Sequence, residues 1–312
     1  MTLLRVLAAR LAQSVPVLLG VSAVTFLLMV ATPGDPIRLL AGDRVTEEVA
    51  AALRARYGLD QPIWRQYLTY LGNLAEGDLG RSLRFRVPVA ELIAARYPVT
   101  LSLVAMSVAI SLPVTFALAI LSARRQGGVA DQAIRLLGTA GIALPVFWLA
   151  ILMSRLFAVQ LGWLPVAGFG ETFAERLRHL ILPALSTAIW VVPILTRNLR
   201  AAILQEMERD HVAAARARGL SEREILRRHV LPNSLLPVLN LGGVMLAALL
   251  GGSVIVETVY ALPGMGSLMV DAIFARDYYV VQGATLVFAL TTLGVMLLTD
   301  LASAALDPRV AP

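Results

Sequence analysis

Cysteine and lysine are both absent from this chain of 312 residues. Without cysteine there are no disulfides, no thiol nucleophile and no iron–sulfur ligation. All 27 basic residues are arginine, which excludes a Schiff-base lysine. It also excludes a phosphate-binding loop of the G-x-x-x-x-G-K-[ST] type, whose lysine reaches the phosphates. If ATP drives this protein, another chain binds it. Charge is scarce as well, at 15% of residues, where soluble domains carry about a quarter. What fills the space is apolar: 58% of the chain is hydrophobic. One soluble core cannot bury that much, so the chain reads as a membrane protein. The net charge of +6 then reads as arginines retained on the cytoplasmic side of a bilayer rather than as a nucleic-acid surface.

A span needs about 20 apolar residues. Charge-free windows occur at 11–34, 97–123, 136–154, 180–196, 230–256 and 278–299, giving six spans. The third is expected to continue past Arg155 to about Val159. The short fourth is expected to be extended by snorkelling of His179 or Arg197. Pro16, Pro113, Pro145, Pro193 and Pro237 fall inside these windows and are tolerable where neighbouring helices re-satisfy the backbone. The first window is too long for a signal peptide and lacks a small-residue cleavage site, so it reads as a retained helix. Arginine placement orients the chain. The segments on one side hold Arg5 and Arg10, then Arg124, Arg125 and Arg135, then eight arginines between Arg197 and Arg228, then Arg309. The short loops opposite hold only Arg155, Arg176, Arg178 and Arg276. Both termini are therefore expected in the cytoplasm, and the long 32–98 segment outside.

That outer segment reads as a small helical cap. Thr46 can open a helix whose positive end Glu47 and Glu48 complement, and Gly58 can close it. Pro62 suits the first turn of a second helix, on which Trp64, Tyr67, Leu68 and Leu71 share a face. This face either packs on the membrane domain or offers a docking platform to an external partner. No internal repeat is visible, so 1–312 reads as one membrane domain.

Charge returns in 199–236, between the fourth and fifth spans. "RAAILQEMERDHVAAARARG" is rich in helix formers. Gly219 is placed to close that helix in the left-handed conformation. Ser221 then reads as the N-cap of a short second helix, with Glu224 completing a capping box, and Pro232 weakens this helix near its end. The expected form is helix, sharp turn, short helix. Its interleaved apolar residues, Val212, Leu220, Ile225 and Leu226, give it a surface fit to dock a partner.

"AAARARG" followed by "ILRRHVLP" resembles the cytoplasmic EAA signature of permease subunits of ATP-binding-cassette importers, with matches at Ala214, Ala215, Gly219, Ile225, Leu231 and Pro232. The acid of the wider signature falls at Ala213; Glu208 and Asp210 lie nearby. "PGDP" at 33–36, "YGLDQP" at 57–62, "QYLTYLGNLAEGDLGRS" at 66–82, "LPVFWLAIL" at 144–152, "LGWLPVAG" at 161–168, "ETVYALPGMGSLMVDAI" at 257–273, "RDYYVVQG" at 276–283 and "LDPR" at 306–309 are similar to the peptide/nickel branch, in order along nearly the whole chain. The resemblance implies an all-α, six-span type I importer fold in the bacterial inner (plasma) membrane. It implies a second homologous permease as heterodimer partner, and two ATPase subunits that bind ATP and Mg, with no cofactor on this chain. It also implies a periplasmic or lipid-anchored substrate-binding protein. The coupling segment would comprise Asp210, Ala213, Ala214, Ala215, Gly219, Leu220, Ser221, Glu224, Ile225, Leu231 and Pro232.

Other ionisable groups sit at span ends, where interface snorkelling explains them: Arg155 outside, Arg197 and Asp300 inside. Glu257 stands apart. It ends the fifth span before "TVYALPGMG", whose Pro263, Gly264 and Gly266 permit a re-entrant turn. An intramembrane carboxylate is a functional candidate, and Glu257 is expected to pair with an arginine at an outer gate. His179, His211 and His229 form no ligand cluster in the sequence, so peptide is favoured over nickel as cargo. An intramembrane protease would need H-E-x-x-H, which is absent, or paired aspartates, and Asp271 and Asp300 lie at different faces. A passive channel has no use for the charged turn.

Overall fold

The computed structural model describes residues 2–31, 46–56 and 58–306. "PGDP" at 33–36 and most of "LDPR" at 306–309 lie outside them. Among the described residues the regular structure is helical. Twelve α-helices follow one another: α1 Thr2–Ala31, α2 Glu47–Arg56, α3 Ile63–Ala75, α4 Val89–Arg124, α5 Val129–Ala143, α6 Val146–Met153, α7 Phe173–Met207, α8 Asp210–Ala217, α9 Glu222–Ile225, α10 Leu231–Val259, α11 Met265–Phe274 and α12 Tyr278–Leu306. Among the described residues five helices are long and apolar enough to cross a membrane, six if the pair bent at residues 144–145 is one broken span rather than a re-entrant loop.

That pair corrects the expected third span. The chain does not run straight from 136 to 159. α5 and α6 are bent by 101° relative to one another, and α6 continues into a π-helical stretch, Ser154–Gln160. The bend falls at Pro145, which has no N–H to continue the ladder and disfavours the helical conformation for the residue before it. Leu144 accordingly sits at φ −84°, ψ 131°. The other prolines of the expected set, Pro16, Pro113, Pro193 and Pro237, do lie inside helices.

The helices pack through small and hydroxylated residues, as expected where lipid supplies no hydrophobic drive between spans. Ser107 of α4 meets Thr187 of α7 at 2.7 Å, Tyr97 meets Thr291 at 2.8 Å, and Ser303 donates to Asn240 at 2.7 Å. α5 lies so close to α7 that a Cβ on Gly138 would come within 3.1 Å of Pro193. At one end of the bundle, Val99, Leu103, Leu182, Val256 and Tyr260 form a buried cluster. At the other, Ala119, Leu199, Ile203, Val212, Ala215, Ile225 and Val230 form a second.

The cap matches the expected helices but not their expected faces. α2 begins with Glu47 and Glu48, and Gly58 follows it at φ +66°. On α3, however, Trp64 and Leu68 are 59% and 57% exposed. The inward face is that of Tyr67 and Tyr70, whose rings group with buried Phe26 of α1, while the Tyr67 hydroxyl lies 2.9 Å from that of Ser22. The apolar residues at helical spacing thus split between two faces, of which the Tyr67 and Tyr70 face packs on α1. α4 starts at Val89, so the last residues of 32–98 are already helical.

Candidate functional site

The charged segment between α7 and α10 closes one end of the bundle. Its first half departs from the expected single helix. The chain leaves α7 at Glu208, Arg209 is extended at φ −73°, ψ 148°, and α8 begins afresh at Asp210. Gly219 then turns the chain at φ +81°, where a β-carbon would be strained. Ser221 caps α9 by accepting from the Glu224 N–H at 3.3 Å. The reciprocal half of the capping box is absent, because the Glu224 side chain pairs with Arg228 at 2.9 Å. Across the turn, Arg216 grips Glu222 with two hydrogen bonds, at 2.7 and 3.2 Å.

Pro232 does not end the second helix. The chain runs from α9 through a wide π-helical turn, Leu226–Val230, into α10, so 222–259 is continuous. The wide turn displaces the carbonyl that a proline ring would strike four residues back, and Pro232 enters in the first turn of α10. The turn is therefore one rigid piece with a membrane-crossing helix.

The apolar residues of the segment do not form a docking surface. Val212, Ala215, Ile225 and Val230 are at most 1% exposed and pack on Ala119 and Ala123 of α4 and on Leu199 and Ile203 of α7. They anchor the turn to two spans. The residues the segment shows to solvent include Asp210, Ala213, Ala214, Arg216, Arg218, Gly219 and Ser221; Leu220, Glu224 and Leu231 are half-buried, and Pro232 is exposed. His211 and His229, eighteen positions apart, come to face one another with ring centres 6.5 Å apart.

One group at this end escaped the reading of the sequence. Asp131, at the start of α5, is fully buried. It accepts two hydrogen bonds from Arg200 of α7, each 2.8 Å, one from Ser122 of α4 at 2.5 Å and one from the Gly127 N–H at 3.0 Å. It ties the ends of α4, α5 and α7 together directly above the turn. The signal that could have found it is a lone acid among Arg124, Arg125 and Arg135. Counting charge-free windows discards such residues as span ends.

At the opposite end, Glu257 is fully buried, but its expected arginine partner is replaced. Among the described residues no cation lies within ion-pair distance. Its carboxylate accepts from the Thr100 hydroxyl at 2.6 Å and from the Ser267 N–H at 3.0 Å. Thr100 in turn accepts from the Met265 N–H at 2.9 Å. Both amides are free N–H groups of the first turn of α11, where a negative charge is favoured. Gly264 and Gly266 are needed here because a Cβ on either would press on the carboxylate. Pro263 lies in the turn between α10 and α11. Glu257 thus holds α4, α10 and the short α11 in one arrangement.

Two family models match the chain. Residues 115–312 match the "binding-protein-dependent transport system inner membrane component", and residues 3–104 match the N-terminal part of such membrane components. The chain is 41% identical over 304 residues to a putative peptide transport system permease protein of Brucella suis biovar 1, with 96% of this chain and 97% of the relative covered. It is 37% identical over 307 residues to the oligopeptide transport system permease protein AppB of Bacillus subtilis, again with 96% and 97% covered. Its fold resembles a chain from the crystal structure of an amino acid ABC transporter, with TM-score 0.56 and 16% identity, over 69% of this chain and 94% of that one.

Proposed function

The chain belongs to the family of binding-protein-dependent transport system inner membrane components, and from that premise we propose that it is the permease subunit of an ATP-driven peptide importer. It would pair with a second permease around the pathway, receive peptide from a substrate-binding protein outside, and rest on two ATPase subunits that bind ATP and Mg. It would lie in the inner membrane with both termini in the cytoplasm. Relatives named for peptide and oligopeptide transport support the cargo class.

The observation that carries the reading is the build of the charged turn. Its apolar residues are buried against α4 and α7, it is continuous with α10, and its polar residues face outward. A groove on an ATPase that accepts this turn would move it without melting it. Motion then passes as a rigid-body shift, the usual form of such transitions, into α10, α7 and, through Asp131, α5. Glu257 and α11 would form a gate element at the far end of the same helix.

The test is peptide uptake into vesicles that hold this chain with and without its ATPase partners. Uptake that requires the ATPase and hydrolysable ATP supports the reading. Passage of peptide without the ATPase would make the chain a passive channel instead.

A further inference from the structure

A cavity of about 540 Å³ opens between α4, α5 and α7. Its wall is apolar along most of its length, with Ile110, Val114 and Leu118 on α4 and Leu185, Ile189 and Val192 on α7. Its polar groups collect at one end, where Ser122, Arg135, Arg197 and Arg200 line it. From Ile110 to Ser122 the cavity follows α4 for about 18 Å at the helical rise. One leaflet of hydrocarbon is about 15 Å deep. The cavity is therefore about as long as one leaflet is deep, lined by apolar residues over most of its length, and basic only at one end.

The charges at that end do not cancel. Asp131 is held by Arg200 at 2.8 Å and approached by Arg135 at 3.7 Å. Arg197 has no carboxylate partner among the described residues. Three guanidiniums thus line this end against one carboxylate, which Arg200 and Arg135 share. Thr196, 3% exposed and on the cavity wall, also has a hydroxyl with no hydrogen-bond partner. A buried polar group without a partner awaits one.

We infer that this cavity binds an anionic phospholipid, one acyl chain lying along α4 and α7 and the phosphate held by Arg197 and Arg135. Basic pockets between spans on the cytoplasmic side suit such headgroups. A peptide fits poorly. Its amide groups would need partners along the whole wall, and the wall offers few outside the arginine end. The assignment of this end to the anionic leaflet rests on the orientation proposed above; the preference for an anionic headgroup does not.

The assembled importer, stripped of lipid in detergent and offered equal phosphatidylglycerol and phosphatidylcholine, is measured by native mass spectrometry. Phosphatidylglycerol is expected to be retained with about a tenfold preference. The double variant Arg135→Gln, Arg197→Gln should bring the preference to within about twofold. Val114→Trp, which fills the chain slot and leaves the arginines, should lose the lipid altogether. Size-exclusion profiles check that each variant assembles. A photoreactive residue at position 114 should form an adduct with phospholipid in the unmodified background, which decides the matter even where a variant does not assemble. Equal retention of both lipids, retention indifferent to both variants, or an adduct with another protein chain or with peptide would each overturn the inference. None of these readouts depends on transport, so a failed importer reading would leave them interpretable.

Discussion

Gly219→Val separates the turn's geometry from its stability. Gly219 sits at φ +81°, and a Cβ there meets nothing within 4 Å. The cost is therefore backbone strain alone, about 2–3 kcal/mol for a β-branched residue in the left-handed region. The nearest local restraint is the Ser221 cap, worth about 1 kcal/mol, and the exposed Arg216–Glu222 pair adds little. Strain thus exceeds what fixes the turn itself. The flanks differ. Val212, Ile225 and Val230 are fully buried, and burying three such side chains contributes roughly 5–9 kcal/mol. The turn should change shape while its two ends stay anchored. In vesicles with all partner subunits, uptake should fall at least tenfold with assembly intact, and the ATPase should either dissociate or hydrolyse ATP without uptake. Gly219→Ala, with strain of about 1 kcal/mol, should be milder. Normal coupled uptake by Gly219→Val would refute the reasoning, since a deformed turn would then transmit as well as the native one.

Other outcomes follow from the same geometry. Because the chain has no cysteine, single cysteines report sidedness: in sealed cells an impermeant reagent should label Gly58→Cys and spare Gly128→Cys and Ser221→Cys, and the reverse pattern would invert the orientation. Phe26→Ala, which empties a buried site between α1 and α3, should reduce assembled protein by an amount equivalent to about 3–5 kcal/mol, whereas Trp64→Ala on the exposed face should stay within about 0.5 kcal/mol; a severe Trp64→Ala would show that an uncounted partner covers it. Glu257→Ala strands the donors of Thr100 and Ser267 and should cost on the order of 3 kcal/mol, read as an earlier thermal inactivation of the purified assembly, with Glu257→Gln closer to the native protein.

The spans and the charged turn were legible because each rests on a local signal: absence of charge over twenty residues, or a glycine between two capped stretches. What was not legible depends on neighbours. Pro145 looks like Pro113 in the sequence, yet one breaks its helix and the other does not. Val212 and Ile225 read as exposed contacts until α4 and α7 are placed above them. Glu257 invited an arginine because a buried carboxylate needs donors; backbone N–H groups of α11 supply them, and no side-chain pattern encodes that. Asp131 and Arg200 lie 69 positions apart, beyond any helical periodicity.

The most direct test of the turn's role is site-directed cross-linking to the ATPase partner in the assembled importer. Ala214 is exposed and Ala215 is fully buried, so a one-residue step turns the side chain from solvent to core. Ala214→Cys should cross-link to a cysteine placed in the ATPase groove, with a yield that changes between ATP-bound and nucleotide-free states. Ala215→Cys should not react. Equal labelling at both positions, or no cross-link from Ala214→Cys to any groove position in an importer that still takes up peptide, would contradict the assignment of this turn as the point where ATP hydrolysis meets the spans.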